Sequence, residues 1–381
     1  MPVERALPTE EAVALLELTR ELAAGEVAPH AAAMEERGDF PREVFCTLGE
    51  AGLLGLPYAE EYGGGVQPYE VYLQVLEELA AAWLAVGLGV SVHTLACFPL
   101  AAYGSAQQRT RWLPEMLAGN LLGAYCLSEA GSGSDAAALR TRAVRQGEDY
   151  VVNGSKAWVT HGGEADFYNL MVRTSEDGPR GISTLLAPAD TPGLTPQPPE
   201  RKMGMRSSPT ASIALDDARV PVGRRLGEEG QGFSIALAAL DGGRLGIAAC
   251  AVGVAQAALD AASAYARERR QFGHAIVEYQ GISFLLADMA TGIEAARALY
   301  LAAARRRDAG LEYAPQAAMA KLFATDTAMR VTTDAVQVFG GYGYTRDYPV
   351  ERYMREAKVL QIVEGTNQVQ RLVIGRSLTK P

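Results

Sequence analysis

The 381-residue sequence is poor in the residues that build metal centres and disulfide frameworks. Its four cysteines, Cys46, Cys97, Cys126 and Cys250, are scattered and form no CxxC pair. That spacing gives no zinc site and suits reduced, mostly buried thiols. The four histidines, His30, His93, His161 and His274, contain no HxxxH pair, so metal chemistry is not expected. Positive charge is also in deficit: 35 Lys and Arg against 45 Asp and Glu give a formal net charge of −10. Without an excess positive field to release counterions, nucleic acid is not an expected partner. A local basic pocket for a phosphorylated ligand stays open. The triplet Arg305-Arg306-Arg307 is one candidate, with a solvated helix face as the other reading. No stretch reaches the roughly 18 to 20 uninterrupted apolar residues of a membrane span, and AVGLGVSV around Val90 is too short. The amino terminus, MPVERALPTEEAVALLELT, carries acids early and has no apolar signal core. These absences lead us to expect a soluble, cytoplasmic protein.

What is present is an ordinary well-packed composition, 48% hydrophobic and 21% charged, long enough for two or three domains. Three zones differ in texture. Residues 1–121 read as a helical domain with periodic Ala and Leu. Thr9 is placed to cap its first helix, Ser105 to Gln108 form a capping box, and the glycines at 63–65 mark a loop. Residues 122–227 read as a compact antiparallel, barrel-like β-domain. Within it DYVVNGSKAWVT suggests a hairpin turning at Asn153-Gly154, and SPTASIALDDARVP a strand with a turn at Asp216-Asp217. Residues 228–381 read as a four-helix bundle: Ser234 to about Arg270, Gly281 to about Ala309 and Pro315 to about Phe339, with shorter helices over Arg346–Leu360 and Thr366–Ser377. The fold class is α+β.

Five stretches could carry chemistry. YCLSEAGSGSD (Tyr125 to Asp135) ends a strand in glycines and hydroxyls that let a phosphate or flat ring approach backbone amides; an ordinary loop is the other reading. Trp158, Val159 and Thr160 form a core strand or a platform for a planar cofactor. RERRQFG (Arg267 to Gly273) sets arginines at a helix end, where they complement the helix dipole or grip a pyrophosphate. Gln337 to Lys358 holds a glycine- and tyrosine-rich corner, structural or ligand-facing. Finally, QIVEGTNQVQR (Gln361 to Arg371) places Glu364 after an apolar run and before Gly365 and a capping Thr366. By itself that glutamate reads as a helix-entry acid; desolvated, it would be a base.

Together and in this order these segments resemble the acyl-CoA dehydrogenase family of flavoproteins, from LGLPYAEEYGGG (Leu54 to Gly65) to the last helix. The resemblance implies FAD as cofactor. Tyr125, Cys126, Leu127, Ser128, Glu129, Ala130, Gly131, Ser132, Gly133 and Ser134 match the stretch along the flavin, and Trp158, Val159 and Thr160 match residues against its ring system. Arg269, Gln280 and the turn of Gln337, Val338, Phe339, Gly340 and Gly341 match groups that hold the FAD of a neighbouring subunit. A homo-oligomer is therefore implied, a dimer at least and a tetramer built as a dimer of dimers by the family pattern. Thr366, Asn367 and Gln368 match further FAD contacts; Ser134, Asp241, Gly242, Gly243, Arg244 and Gly365 match contacts to the acyl-CoA. Glu364 falls on the family's catalytic base. It is implied to take the pro-R α-proton while a β-hydride passes to flavin N5, giving a trans-2-enoyl-CoA. An electron-transferring flavoprotein is the implied acceptor, as in fatty acid β-oxidation.

Some relatives carry the base on the long helix instead, at the position of Gly243, which has no side chain to serve. The wording around LDGGRLGIAACAVG resembles short-chain and bacterial butyryl-type members, so a short-, medium- or branched short-chain substrate is expected. An acyl-CoA oxidase-like relative and a non-catalytic acyl-CoA-binding protein are the alternatives.

Overall fold

The computed structural model describes residues 3 and 5–379; the first residues of the amino-terminal stretch (Met1, Pro2, Glu4) and the last two lie outside it. Six helices open the chain: α1 (Glu10–Leu22), α2 (Ala28–Arg37), α3 (Arg42–Glu50), α4 (Tyr69–Ala82), α5 (Leu84–Tyr103) and α6 (Ala106–Leu117). Their starts follow side-chain chemistry. Thr9 Oγ1 accepts from Ala12 N at 3.1 Å, and Ser105 with Gln108 closes a reciprocal capping box. The start of α4 was not legible locally: Asp308, distant in sequence, accepts from Tyr69 N and Glu70 N at 2.9 and 3.1 Å.

By length and composition alone, both α5 and the later α7 (Gly232–Glu268) are apolar enough to cross a membrane, although neither is an uninterrupted apolar run. Ser91, His93 and Thr94 break the apolar run of α5 without making it amphipathic, so a search for uninterrupted stretches passes over it. Both helices are mostly buried inside the fold, where an all-round apolar helix belongs in a large core.

The middle of the chain forms β1 (Gly123–Cys126), β2 (Arg142–Gln146), β3 (Asp149–Thr160), β4 (Phe167–Arg173), β5 (Ile182–Pro188), β6 (Leu194–Pro196), β7 (Thr210–Pro221) and β8 (Arg225–Leu226). They make one sheet in the order β6-β7-β3-β2-β4-β5-β8, with β1 on β4. The pairing is antiparallel except for β1 with β4 and the single contact of β2 with β4, which run parallel. Neither expected turn exists. The chain reverses at Gly147, between β2 and β3, while Asn153-Gly154 and Asp216-Asp217 lie inside continuous strands opposite one another. There the register shifts, Asn153 Nδ2 donates to Asp217 Oδ1 and Asn153 Oδ1 accepts from Asp217 N, both at 2.9 Å, and Gly154 and Asp217 take positive φ. The same residues that tolerate a turn tolerate a bulge, and sequence pattern does not separate them.

The last third holds α7, a small hairpin of β9 (Arg270–Gln271) and β10 (His274–Ala275), then α8 (Gln280–Asp308), α9 (Ala314–Phe339), α10 (Val350–Leu360) and α11 (Asn367–Thr379). At 37 residues α7 spans about 55 Å and is the spine of the molecule. Small residues let its neighbours close in: a Cβ on Gly253 would sit 2.3 Å from Glu77 O on α4. Buried Glu77 joins α4 to α8 by accepting from Arg297 Nη2 at 2.8 Å and from Tyr300, and reaches Arg5 Nη2 at 2.9 Å. Of the arginine triplet, Arg305 pairs with Glu70 at the surface, whereas Arg307 turns inward over the Tyr69 ring at 3.6 Å.

Candidate active site

Glu364 sits in the connector between α10 and α11. Its φ is 52° and that of Gly365 is 86°, so two consecutive residues are left-handed. Such a conformation is costly for a residue with a Cβ and persists only where the surroundings fix it. Here Gln370 Nε2 donates to Glu364 O and Gly365 O at 3.2 and 2.7 Å, Lys321 Nζ donates to Gly365 O at 3.0 Å, and Asn367 N closes the loop onto Gln361 O at 3.0 Å. Thr366 Oγ1 then accepts from Val369 N at 3.3 Å and starts α11, as its sequence position suggested.

This turn aims the Glu364 carboxylate at α7. Both of its oxygens are sealed from solvent and neither has a hydrogen-bond partner among the described residues. They rest directly on Gly243: a Cβ built there would lie 1.9 Å from Oε2. Burial pushes the Glu364 carboxyl up to about 7, against the opposing pull of Lys321 and Arg244. Arg244 is itself bonded to Asp241 at 2.6 Å, and Gly242 O accepts from Tyr69 OH at 3.0 Å. Asp241, Gly242, Gly243, Arg244, Glu364 and Gly365, separated by over a hundred residues, thus form one site. Beside them a narrow cavity of about 30 Å³ runs between α5 and α7, lined by Ser91, Thr94, Phe98, Ala239 and Gly243 and reaching Tyr69, Arg307 and Tyr313. Sequence reading missed Tyr69, Ser91, Thr94 and Lys321, because nothing in their local sequence separates them from core positions.

The flavin-type stretches fall into two groups. In the first, the loop after β1 is shaped by Glu129, whose buried carboxylate accepts from Arg140 N, Thr141 N and Lys156 Nζ at 2.7 to 2.9 Å. That inward use leaves Gly131, Gly133 and Ser134 exposed, and a Cβ on either glycine would meet nothing within 4 Å. Ala157 N ties the loop to β3 through Ser128 O at 2.9 Å. Immediately after, the β3 register slips, Trp158 takes a φ of 61° and stands 61% exposed, while Val159 returns to the core. An exposed indole on a distorted strand beside an open glycine loop suits a flat aromatic ring. Cys126 and Leu127 point into cores and offer only backbone.

The second group lines a separate cleft of about 490 Å³: Arg269, Gln271, Val338, Phe339, Gly340, Gly341 and Tyr342. Arg269 lies over the Tyr342 ring at 5.7 Å, and the Gly340 and Gly341 backbones are open. Gln280 and Gln337 are exposed nearby in sequence, Phe272 is 92% exposed, and Gln368 is exposed on α11. Asn367, by contrast, is buried, its amide engaged by Lys321, Thr325 and Asp326. Arg269 follows Arg244 by 25 residues, about 38 Å along α7, so within one chain this cleft lies far from the Glu364 site.

Three family profiles match consecutive parts of the chain: the acyl-CoA dehydrogenase N-terminal domain over residues 9–120, the middle domain over 124–218 and the C-terminal domain over 230–379. The chain is a member of the acyl-CoA dehydrogenase family. It is 45% identical over 372 residues to an acyl-CoA dehydrogenase of Bacillus subtilis, covering 97% of this chain and 98% of the relative. The butyryl-CoA dehydrogenase structure from Megasphaera elsdenii superposes with a TM-score of 0.96 at 40% identity, over 99% of this chain and all of that one. A chain from work on the electron transferring flavoprotein of Acidaminococcus fermentans gives 0.97 at 42% identity over the same shares. Members of this family are FAD flavoproteins and oxidoreductases, and the open glycine loop and exposed indole of this chain fit a flat group of that kind.

Proposed function

We propose that the enzyme oxidises an acyl-CoA thioester across its α,β-bond, with Glu364 as the base that removes the α-proton and trans-2-enoyl-CoA as product. The observation that carries this reading is the Glu364 carboxylate itself. It is sealed, free of hydrogen bonds and seated on Gly243 beside a cavity. A carboxyl pushed up to about 7 is a stronger base than a surface carboxylate and is half ionised near neutrality. No internal hydrogen bond engages the Glu364 N–H among the described residues, which leaves it available to polarise a thioester oxygen. FAD, held at the glycine loop and on Trp158, would supply the hydride acceptor.

The likeness to a butyryl-CoA dehydrogenase supports a short-chain acyl group. The distance between the Glu364 site and the Arg269 cleft supports an oligomer in which Arg269 and the Gly340-Gly341 turn of one subunit complete the cofactor site of another. Electron-transferring flavoprotein is the acceptor we infer, supported by the family and by the relative from the Acidaminococcus fermentans work. The division at residues 121/122 and 227/228 is our reading of the domains.

The test is Glu364→Gln. The variant is expected to retain FAD and bind acyl-CoA while anaerobic flavin bleaching slows by more than ~10³-fold. Bleaching near the wild-type rate would refute the assignment.

A further inference from the structure

Lys321 is buried on α9, on a face it shares with Ala317, Ala318, Ala324 and Thr325. Its ammonium forms no salt bridge among the described residues; it donates to Gly365 O at 3.0 Å and to Asn367 Oδ1 at 2.9 Å. A buried cation whose only hydrogen-bond acceptors are neutral oxygens is expensive, and an apolar side chain of the same length would pack here at less cost. Its position therefore calls for a local reason, and both of its acceptors lie on the turn that carries Glu364.

We propose that Lys321 is a positioning residue for the base, its ammonium clamping the left-handed Glu364-Gly365 turn from α9 while placing a fixed positive charge beside the carboxylate. The inference rests on Glu364 being the base. The clamp is needed because a non-glycine residue at φ 52° relaxes unless held, and relaxation would swing the carboxylate off Gly243. Gln370 holds the same turn from α11, so the turn is gripped from two sides. Lys321 differs from Gln370 in carrying charge.

The other groups facing Glu364 do not substitute for that charge. Arg244 on α7 is bonded to Asp241. Cys250 on α7, Tyr69 and Tyr72 on α4 and Tyr125 on β1 are kept neutral by burial. Asp326 on α9 faces Lys321 but is occupied by Gln361, Asn367 and Arg371. Burial lowers the Lys321 ammonium to about 8, which still leaves it mostly charged where Glu364 titrates.

The experiment compares FAD-loaded wild type, Lys321→Met and Lys321→Gln. Three readouts are taken: the pH profile of kcat/KM, melting temperature, and exchange of acetyl-CoA α-protons into D2O. The last reports the base alone, since acetyl-CoA has no β-hydride to give. Lys321→Met should slow exchange and bleaching roughly tenfold or more and move the base limb upward by about 0.5 pH unit or more, with acyl-CoA binding little changed. Lys321→Gln keeps a donor for Gly365 O without charge; it should recover part of the rate and keep the shifted limb. If Lys321→Met does not hold FAD, the glutamine variant decides. A limb that stays in place while rate and melting temperature fall together would overturn the proposal. Glu364→Gln measured alongside separates the two readings: wild-type exchange in that variant removes the base, whereas unmoved limbs in the Lys321 variants remove only the role of Lys321.

Discussion

Replacing Gly243 by alanine adds one methyl group at the tightest contact in the site. That methyl carbon would start 1.9 Å from Glu364 Oε2, 2.7 Å from Cδ and 3.0 Å from Oε1. Ordinary contact needs about 3.4 Å, so the carboxylate must retreat by about 1.5 Å. It cannot do so by small adjustment, because its backbone is held by Lys321 and Gln370 and its side chain is enclosed. Misplacement of a reacting group by about 1 Å costs on the order of 10²-fold, so a loss of roughly 10² to 10³ in the bleaching rate is expected. FAD content should be unchanged, since the glycine loop and Trp158 are untouched. Stopped-flow bleaching under anaerobic conditions, with FAD quantified after gel filtration, measures both. A rate within a few-fold of wild type would show that the carboxylate is not committed to the place it occupies over Gly243.

A second expectation concerns pH and stability. Folding raises the Glu364 carboxyl from its ordinary 4.5 to about 7, so the folded state binds the proton more tightly than the unfolded chain. Stability is therefore lost as pH climbs from about 4.5 through 7, by about 3 kcal/mol at completion. Glu364→Gln removes this titration. Its unfolding midpoint in denaturant should rise relative to wild type between pH 5 and pH 8, and a difference independent of pH would refute the burial argument. Third, Arg269→Ala should lower FAD retention on gel filtration with little change in melting temperature, because the arginine is exposed at a cleft and not part of a core; unchanged FAD content would count against its role.

Much of this protein was legible in its residues. Helix boundaries followed caps and breakers at Thr9, Ser105 and Thr366, where one side chain serves backbone groups three residues away. The middle domain read as β because alternation is also local. What failed was the meaning of Asn153-Gly154 and Asp216-Asp217. These residues permit positive φ, but a turn and a bulge differ only in what lies across the sheet. The apolar length of α5 likewise needed the surrounding helices to show it as core.

The candidate site divides in the same way. Sequence order placed Glu364 in a family register and left Gly243 without a side chain. It did not show that the two touch, nor that the glycine is the space the carboxylate fills. Lys321 and Tyr69 carry no local signal, since their partners lie between 44 and 239 residues away. Sequence determines what is encoded by near neighbours: caps, periodicity and backbone permission. Charge, burial and proton affinity at Glu364 depend on a low-dielectric enclosure assembled from α4, α7, α9 and β1, and only the tertiary fold brings those surfaces together.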